Sequence, residues 1–162
     1  MNNIALSIKN VSVSYTDKPA IHNINLEILD GETFGLIGLN GAGKTTLIKC
    51  ILSLREQDSG EILIHDYPCN HLRSKKELAY LPEKFEPPWF LTGMEFIKFS
   101  MSLYNKKILD NEIINAAQEL ALEISALSRK VNTYSKGMRQ KLGLMGTMLT
   151  GCNVLIFDEP MS

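Results

Sequence analysis

The stretch Gly38-Leu39-Asn40-Gly41-Ala42-Gly43-Lys44-Thr45 fills every fixed position of the pattern G-x-x-x-x-G-K-[ST], and it narrows the choice of fold more than any other part of the chain. Its glycines let the backbone curl so that successive N–H groups point inward, and the helix that follows adds its positive N-terminal end at the same spot. Phosphate oxygens are the natural ligand. The loop needs a strand before it and a helix after it, and both are legible. Thr33 to Ile37 reads as a short buried strand, and Thr46 to Leu54 as a helix with Leu47, Ile51 and Leu54 on one face.

The residue types divide the work. The loop backbone from Gly38 through Asn40, Gly41, Ala42 and Gly43 wraps the phosphates, Lys44 reaches the β- and γ-phosphates, and the Thr45 hydroxyl ligates Mg²⁺. A nucleoside triphosphate is the expected ligand.

At 162 residues, 44% hydrophobic and 22% charged, the chain suits one α/β domain with a sizeable core. A net charge of −1 gives no field to draw nucleic acid or an anionic membrane, so nucleic acid is not an expected partner. No run of eighteen uninterrupted apolar residues occurs, and Met1-Asn2-Asn3 lacks a basic region followed by an apolar run, so a cytosolic location is expected. Cys50, Cys69 and Cys152 are odd in number and widely spaced, which suits reduced packing residues rather than disulfides or metal ligands. His22, His65 and His71 lack ligand spacing, and surface or turn roles are expected for them.

Alternation of apolar and polar residues over Ile4 to Ile8, at Val11, Val13 and Tyr15, and at Ile24, Leu26 and Ile28 predicts antiparallel strands, with turns at Asp17-Lys18-Pro19 and Asp30-Gly31. Tyr15 is able to stack on an adenine ring or to pack on its neighbours. Further strands are predicted at Glu61–His65 and Leu78–Leu81, and a proline-rich loop over Pro82–Trp89. Three helices then follow. One starts in the capping box Thr92-Gly93-Met94-Glu95 and has little polar face. A second starts at Asp110 with Ile113, Ala117, Leu120 and Ile124 in one stripe. The third is capped by Ser135 with Met138, Leu142, Met145 and Leu149 on one face.

Val154-Leu155-Ile156-Phe157 is a continuous apolar run of the buried parallel-strand type, closed by Asp158-Glu159-Pro160. Two acids at the end of such a strand are costly to bury unless they face metal or water. Asp158 fits direct or indirect binding of the Mg²⁺ held by Thr45. Pro160 is expected to hold Glu159 extended, projecting a carboxylate able to orient and deprotonate an attacking water as general base.

The succession of GLNGAGKTT, YSKGMRQKL and VLIFDEP resembles the ATP-binding subunit of an ABC transporter over nearly the whole chain. The resemblance implies a P-loop NTPase core with an N-terminal antiparallel β portion and a helical signature subdomain. Residues 1–91 and 151–162 would form the core and residues 92–150 the helical part. It implies that Tyr15 stacks on adenine and that Thr46 joins Lys44 and Thr45 at the phosphates. It further implies that Ser135 and Gly137 close over the γ-phosphate held by a second cassette, in a homo- or heterodimer. ATP and Mg²⁺ are the implied cofactors, transmembrane permease subunits the implied partners, and ATP hydrolysis coupled to transport, from a peripheral position at the membrane, the implied activity.

Glu83 stands where the family usually has the Gln of its nucleotide-sensing loop, and this Leu-Pro-Glu form resembles exporting subfamilies. Tyr134, Lys136 and Met138 depart from the usual signature, but Ser135 and Gly137 are kept. The sequence stops at Ser162, where the family continues with a dimer-contact loop, further strands and a switch histidine. A C-terminally incomplete cassette that binds ATP weakly is therefore the expectation. The alternatives are a soluble ribosome- or DNA-associated cassette and an inactive nucleotide-binding fragment.

Overall fold

The computed structural model describes residues 3–15 and 18–160, so Met1, Asn2, the Asp17 end of the expected turn, and the last two residues lie outside the described residues. The chain divides into two compact units, Met1–Leu78 and Ala79–Ser162.

In the first unit β1 (Ile4–Tyr15) pairs antiparallel with β2 (Lys18–Leu29) and with β3 (Ser59–Ile64), which pairs with the short β4 (Tyr67–Pro68). The sheet order is β2-β1-β3-β4. The buried residues of β1 change phase, from Leu6 and Ile8 to Val11 and Val13. Strict alternation cannot keep both pairs on one face, and a register shift between Ile8 and Val11 absorbs the extra residue. Asn10 takes the left-handed conformation there (φ 53°), which Asn tolerates better than most residues. Gly60 lies against it so closely that a Cβ would sit 2.5 Å from the Asn10 carbonyl. The Asp30-Gly31 turn is present, with Glu32 N–H donating to Leu29 O at 3.1 Å.

One predicted strand is absent. Residues 33–37 pair with none of the described strands, and Phe34 (44% exposed) and Ile37 (94% exposed) stand in the open. An apolar run becomes a strand only through ladder hydrogen bonds to neighbours, and none is offered to this segment among the described residues. The segment leads instead as irregular chain into α1 (Lys44–Ile51), which starts earlier and ends earlier than the periodicity predicted. A short α2 (Leu72–Lys76) follows β4. Cys50 and Cys69 are buried thiols in this unit, and burial pushes both upward in pKa, as suits packing residues.

The second unit contains β5 (Leu78–Leu81), except for its first residue, and β6 (Val154–Phe157) side by side, with α3 (Gly93–Leu103), α4 (Asp110–Glu119) and α5 (Lys136–Leu149) between them in sequence. Phe96, Ile97, Met101, Ile113, Ala117, Leu142 and Met145 form its core. The predicted capping box is made: Thr92 Oγ1 accepts from Glu95 N–H at 3.2 Å and Glu95 Oε2 accepts from Thr92 N–H at 2.8 Å. Ile124 leaves its predicted stripe, because α4 ends at Glu119 and Ile124 opens a separate 3₁₀ turn with 43% of its surface exposed. All four residues of β6 are only half-buried, against the expectation of a fully buried strand. A strand with one described neighbour has a side that nothing in the sheet covers.

Candidate functional site

The phosphate loop belongs to the first unit. Gly41 (φ 82°) and Gly43 (φ 89°) both sit in the left-handed region, where a side chain is strained. Gly43 is further constrained by packing: a Cβ would run into the Ile21 side chain and lie 2.5 Å from the Ala20 carbonyl oxygen. Gly43 is also the N-cap of α1, so no side-chain oxygen caps the helix, and no acid occupies its first turn. The amides of that turn therefore present an uncompensated positive end, the arrangement that receives an anion. Ala42 N–H turns back to Leu39 O at 3.1 Å, and Lys44 Nζ arches over the loop to donate to Gly38 O at 2.7 Å and Leu39 O at 3.2 Å. An ammonium seated in the curl of the loop is where a phosphate oxygen would find it. Thr45 is exposed and Thr46 is buried. The residues present thus fit a polyphosphate, with one hydroxyl, Thr45 Oγ1, of the hard-oxygen type that Mg²⁺ accepts beside phosphate oxygens.

Tyr15 ends β1 with 45% of its surface exposed. The Arg55 guanidinium lies 4.0 Å from the centre of its ring. Arg55 Nη2 donates to Ser14 O at 2.7 Å, while Asp58 Oδ2 accepts from Ser14 N–H at 2.7 Å. Both polar groups of the residue before Tyr15 are thereby held by the connection between α1 and β3.

Asp158 and Glu159 belong to the second unit. Asp158 N–H donates to Leu81 O at 3.0 Å, and one carboxylate oxygen accepts from Tyr80 Oη at 3.3 Å. Burial, then the negative charges of Asp158 and Glu83 with the hydrogen bond to Asp158, push the Tyr80 phenol up to about 12. Tyr80 stays protonated and donates, so it orients Asp158 without competing for its charge. Glu159 departs from expectation: it is not extended before Pro160 but sits at φ 46°. The strand has ended at Phe157, and the left-handed residue turns the chain there, freeing the Glu159 side chain from the two-face alternation of a strand.

Ser135 caps α5, its Oγ accepting from Met138 N–H at 3.2 Å, with Gly137 exposed in the first turn and no acid there. Space around Gly137 is open, since a Cβ would meet nothing within 4 Å. The loop is anchored from behind by Tyr134, 3% exposed, whose hydroxyl donates to Ala126 O at 2.6 Å, and Arg139 Nη1 donates to Tyr134 O at 2.7 Å.

Gly38 to Thr46 lead into one helix start in the first unit, and Tyr15 lies in the same unit. Asp158 and Glu83 converge on Tyr80 in the second, and Ser135 with Gly137 opens α5 there. Sequence reasoning missed Arg55, Tyr80 and Tyr134. Tyr134 and Tyr80 each adjoin or precede a motif by a few residues, but nothing in periodicity marks a hydroxyl partner. Among the described residues no group of three or more His, Cys, Asp or Glu side chains could hold a metal by itself, and no helix is long and apolar enough to cross a membrane.

Residues 21–162 match the family model described as ABC transporter. The ABC transporter ATP-binding protein YdbJ of Bacillus subtilis is 35% identical over 96% of this chain and 50% of its own length. SkfE of the same organism, a SkfA peptide export ATP-binding protein, is 31% identical over 96% of this chain and 65% of its own. UgpC of Bordetella avium, an sn-glycerol-3-phosphate import ATP-binding protein, is 32% identical over 97% and 44% respectively. Among solved structures, a Pyrococcus furiosus ABC transporter ATP-binding protein superposes with a TM-score of 0.87 at 31% identity, over 96% of this chain and 75% of that one. The chain spans about half the length of the curated relatives it matches.

Proposed function

Since the chain belongs to the ABC transporter family, we propose that it is the nucleotide-binding part of an ATPase that couples ATP binding and hydrolysis to movement of a substrate through separate membrane subunits. One observation supports this most: the uncapped start of α1, with Gly43 at φ 89° and the Lys44 ammonium seated over the loop. On this reading the amides from Gly41 to Thr46 bind the phosphates, Lys44 exchanges its two carbonyl partners for β- and γ-phosphate oxygens, and Tyr15 stacks on the base. Thr45 and Asp158 would hold Mg²⁺, which when bound supplies charge neutralisation at the phosphates. Glu159 takes the proton from the attacking water, and the Pro82–Trp89 loop, through Glu83, senses the nucleotide. Ser135 and Gly137, at a helix start without first-turn acids, supply donors for the γ-phosphate of a second cassette.

Permease subunits would hold the protein at the cytoplasmic face of the membrane. Export is the direction favoured by Glu83, although relatives of similar identity include an importer as well as an exporter. A near-neutral charge gives no support to a nucleic-acid partner.

Calorimetric titration with Mg²⁺-ATP tests the reading. Loss of a charge-assisted contact in Lys44→Ala is expected to weaken binding about ten- to a hundredfold. Glu159→Gln is expected to bind normally and, paired with its permease partners, to lose turnover. Unchanged ATP affinity in Lys44→Ala refutes the assignment of the loop.

A further inference from the structure

The α1–β3 connection is tied to both ends of the proposed nucleotide. At one end Arg55 N–H donates to Lys49 O at 3.2 Å, on the helix whose start forms the phosphate loop. At the other end the Arg55 guanidinium covers one face of Tyr15 and bonds the Ser14 carbonyl, and Asp58 bonds the Ser14 amide. Asp58 N–H also donates to Ser12 O at 2.9 Å, so the connection is laced to the last residues of β1 before Tyr15 at three points.

We propose that Arg55 is a positioning residue that holds the Tyr15 ring as a platform for the base at a fixed span from the phosphate loop, and so adds selectively to affinity for a base-bearing nucleotide. The geometry supports this in three ways. Arg55 is the more enclosed partner, with its Nε buried and without a hydrogen-bond partner among the described residues, while Tyr15 keeps 45% of its surface exposed with the guanidinium in place. The cation therefore lies on one face of the ring while much of the residue still meets solvent. A guanidinium on one face also draws on the ring's π density, which lessens the face-to-face repulsion that a stacked purine otherwise meets. Finally, a guanidinium fixed by Ser14 O cannot drift, so the ring loses little freedom when a base arrives.

The inference rests on the reading that Tyr15 stacks on the base, and the test separates the two. Dissociation constants for Mg²⁺-ATP and for Mg²⁺-tripolyphosphate, which has no base, are measured by calorimetry on the full chain and on Arg55→Met, Arg55→Lys, Tyr15→Ala and the Arg55→Met/Tyr15→Ala double variant. Arg55→Met keeps the packing of the stem, and unaltered tripolyphosphate binding confirms that the fold and the loop are intact. The expected result is a roughly three- to tenfold weaker affinity for ATP in Arg55→Met, partial recovery in Arg55→Lys, and no further loss from Arg55→Met once Tyr15 is Ala. Equal losses for ATP and tripolyphosphate would mean a merely structural role and overturn the proposal. Normal ATP binding by Arg55→Met beside weakened binding by Tyr15→Ala overturns it while leaving the stacking reading intact. Unchanged ATP binding in Tyr15→Ala removes both.

Discussion

Tyr134 and Gly93 make one packed pair in the second unit, and substituting both tests how the signature loop is anchored. Tyr134→Phe removes a 2.6 Å hydrogen bond to Ala126 O, but that carbonyl keeps a second donor, Arg129 N–H at 2.9 Å. No acceptor is left stranded, so the cost falls at the ordinary net value of a hydrogen bond, about 1 kcal/mol, and not at the larger penalty of an orphaned group. Gly93→Ala meets a different obstacle. Its Cβ would collide with the Tyr134 hydroxyl and lie 3.3 Å from Leu127 Cα and Tyr134 Cζ. Overpacking of this kind costs about 1–3 kcal/mol.

Once Tyr134 is Phe, the worst contact is gone and only neighbours at 3.3 Å must yield. The double variant is therefore expected to be more stable than the sum of the single losses by roughly 1 kcal/mol or more, a coupling typical of residues in contact. Trp89, the only tryptophan, lies in the second unit, so urea unfolding followed by its fluorescence reports that unit. Additivity of the two losses within about 0.5 kcal/mol would falsify the packing argument.

Gly143→Ala would place a Cβ 2.7 Å from Leu81 Cδ1 and 2.8 Å from Phe85 Cδ1, and a loss of about 1–3 kcal/mol is expected in the same unfolding assay. Ser135→Ala removes the α5 cap and is expected to cost about 1 kcal/mol, whereas Ser135→Asp, which also caps, restores stability; if Ser135 faces phosphate as proposed, the added charge repels it, so stability recovers while nucleotide-dependent activity does not. The Tyr80 phenol is raised to about 12 in the fold, so its stabilising contribution is complete below the ordinary value near 10 and is lost as pH climbs toward 12. Tyr80→Phe is accordingly expected to flatten the alkaline fall in stability over that interval, and an unchanged slope would count against a phenol raised by burial and by the nearby Asp158 charge.

The sequence alone determined the phosphate loop, the two acids after Phe157, the Thr92 capping box and the Ser135 cap, because each is a short-range device. Left-handed glycines, a cap three residues from its amide, and an apolar run that ends in charge all act within a few residues, and their spacing is their mechanism. The antiparallel β1–β2 pairing was legible for the same reason, since alternation is local, but Lys18 and Pro19, expected in the turn, pair with Tyr15 and Ser14 as the first residues of β2. Tertiary structure decided what depends on neighbours far along the chain. Residues 33–37 have strand composition but no described pairing partner, and β6 is apolar but only half-covered. Glu159 turned left-handed where the following proline argued for extended chain, because the strand had already run out of ladder. Arg55 reaches Ser14 across 41 positions and Tyr80 reaches Asp158 across 78. A hydrogen bond or a guanidinium over a ring leaves no periodicity behind, since only folding brings such pairs within reach.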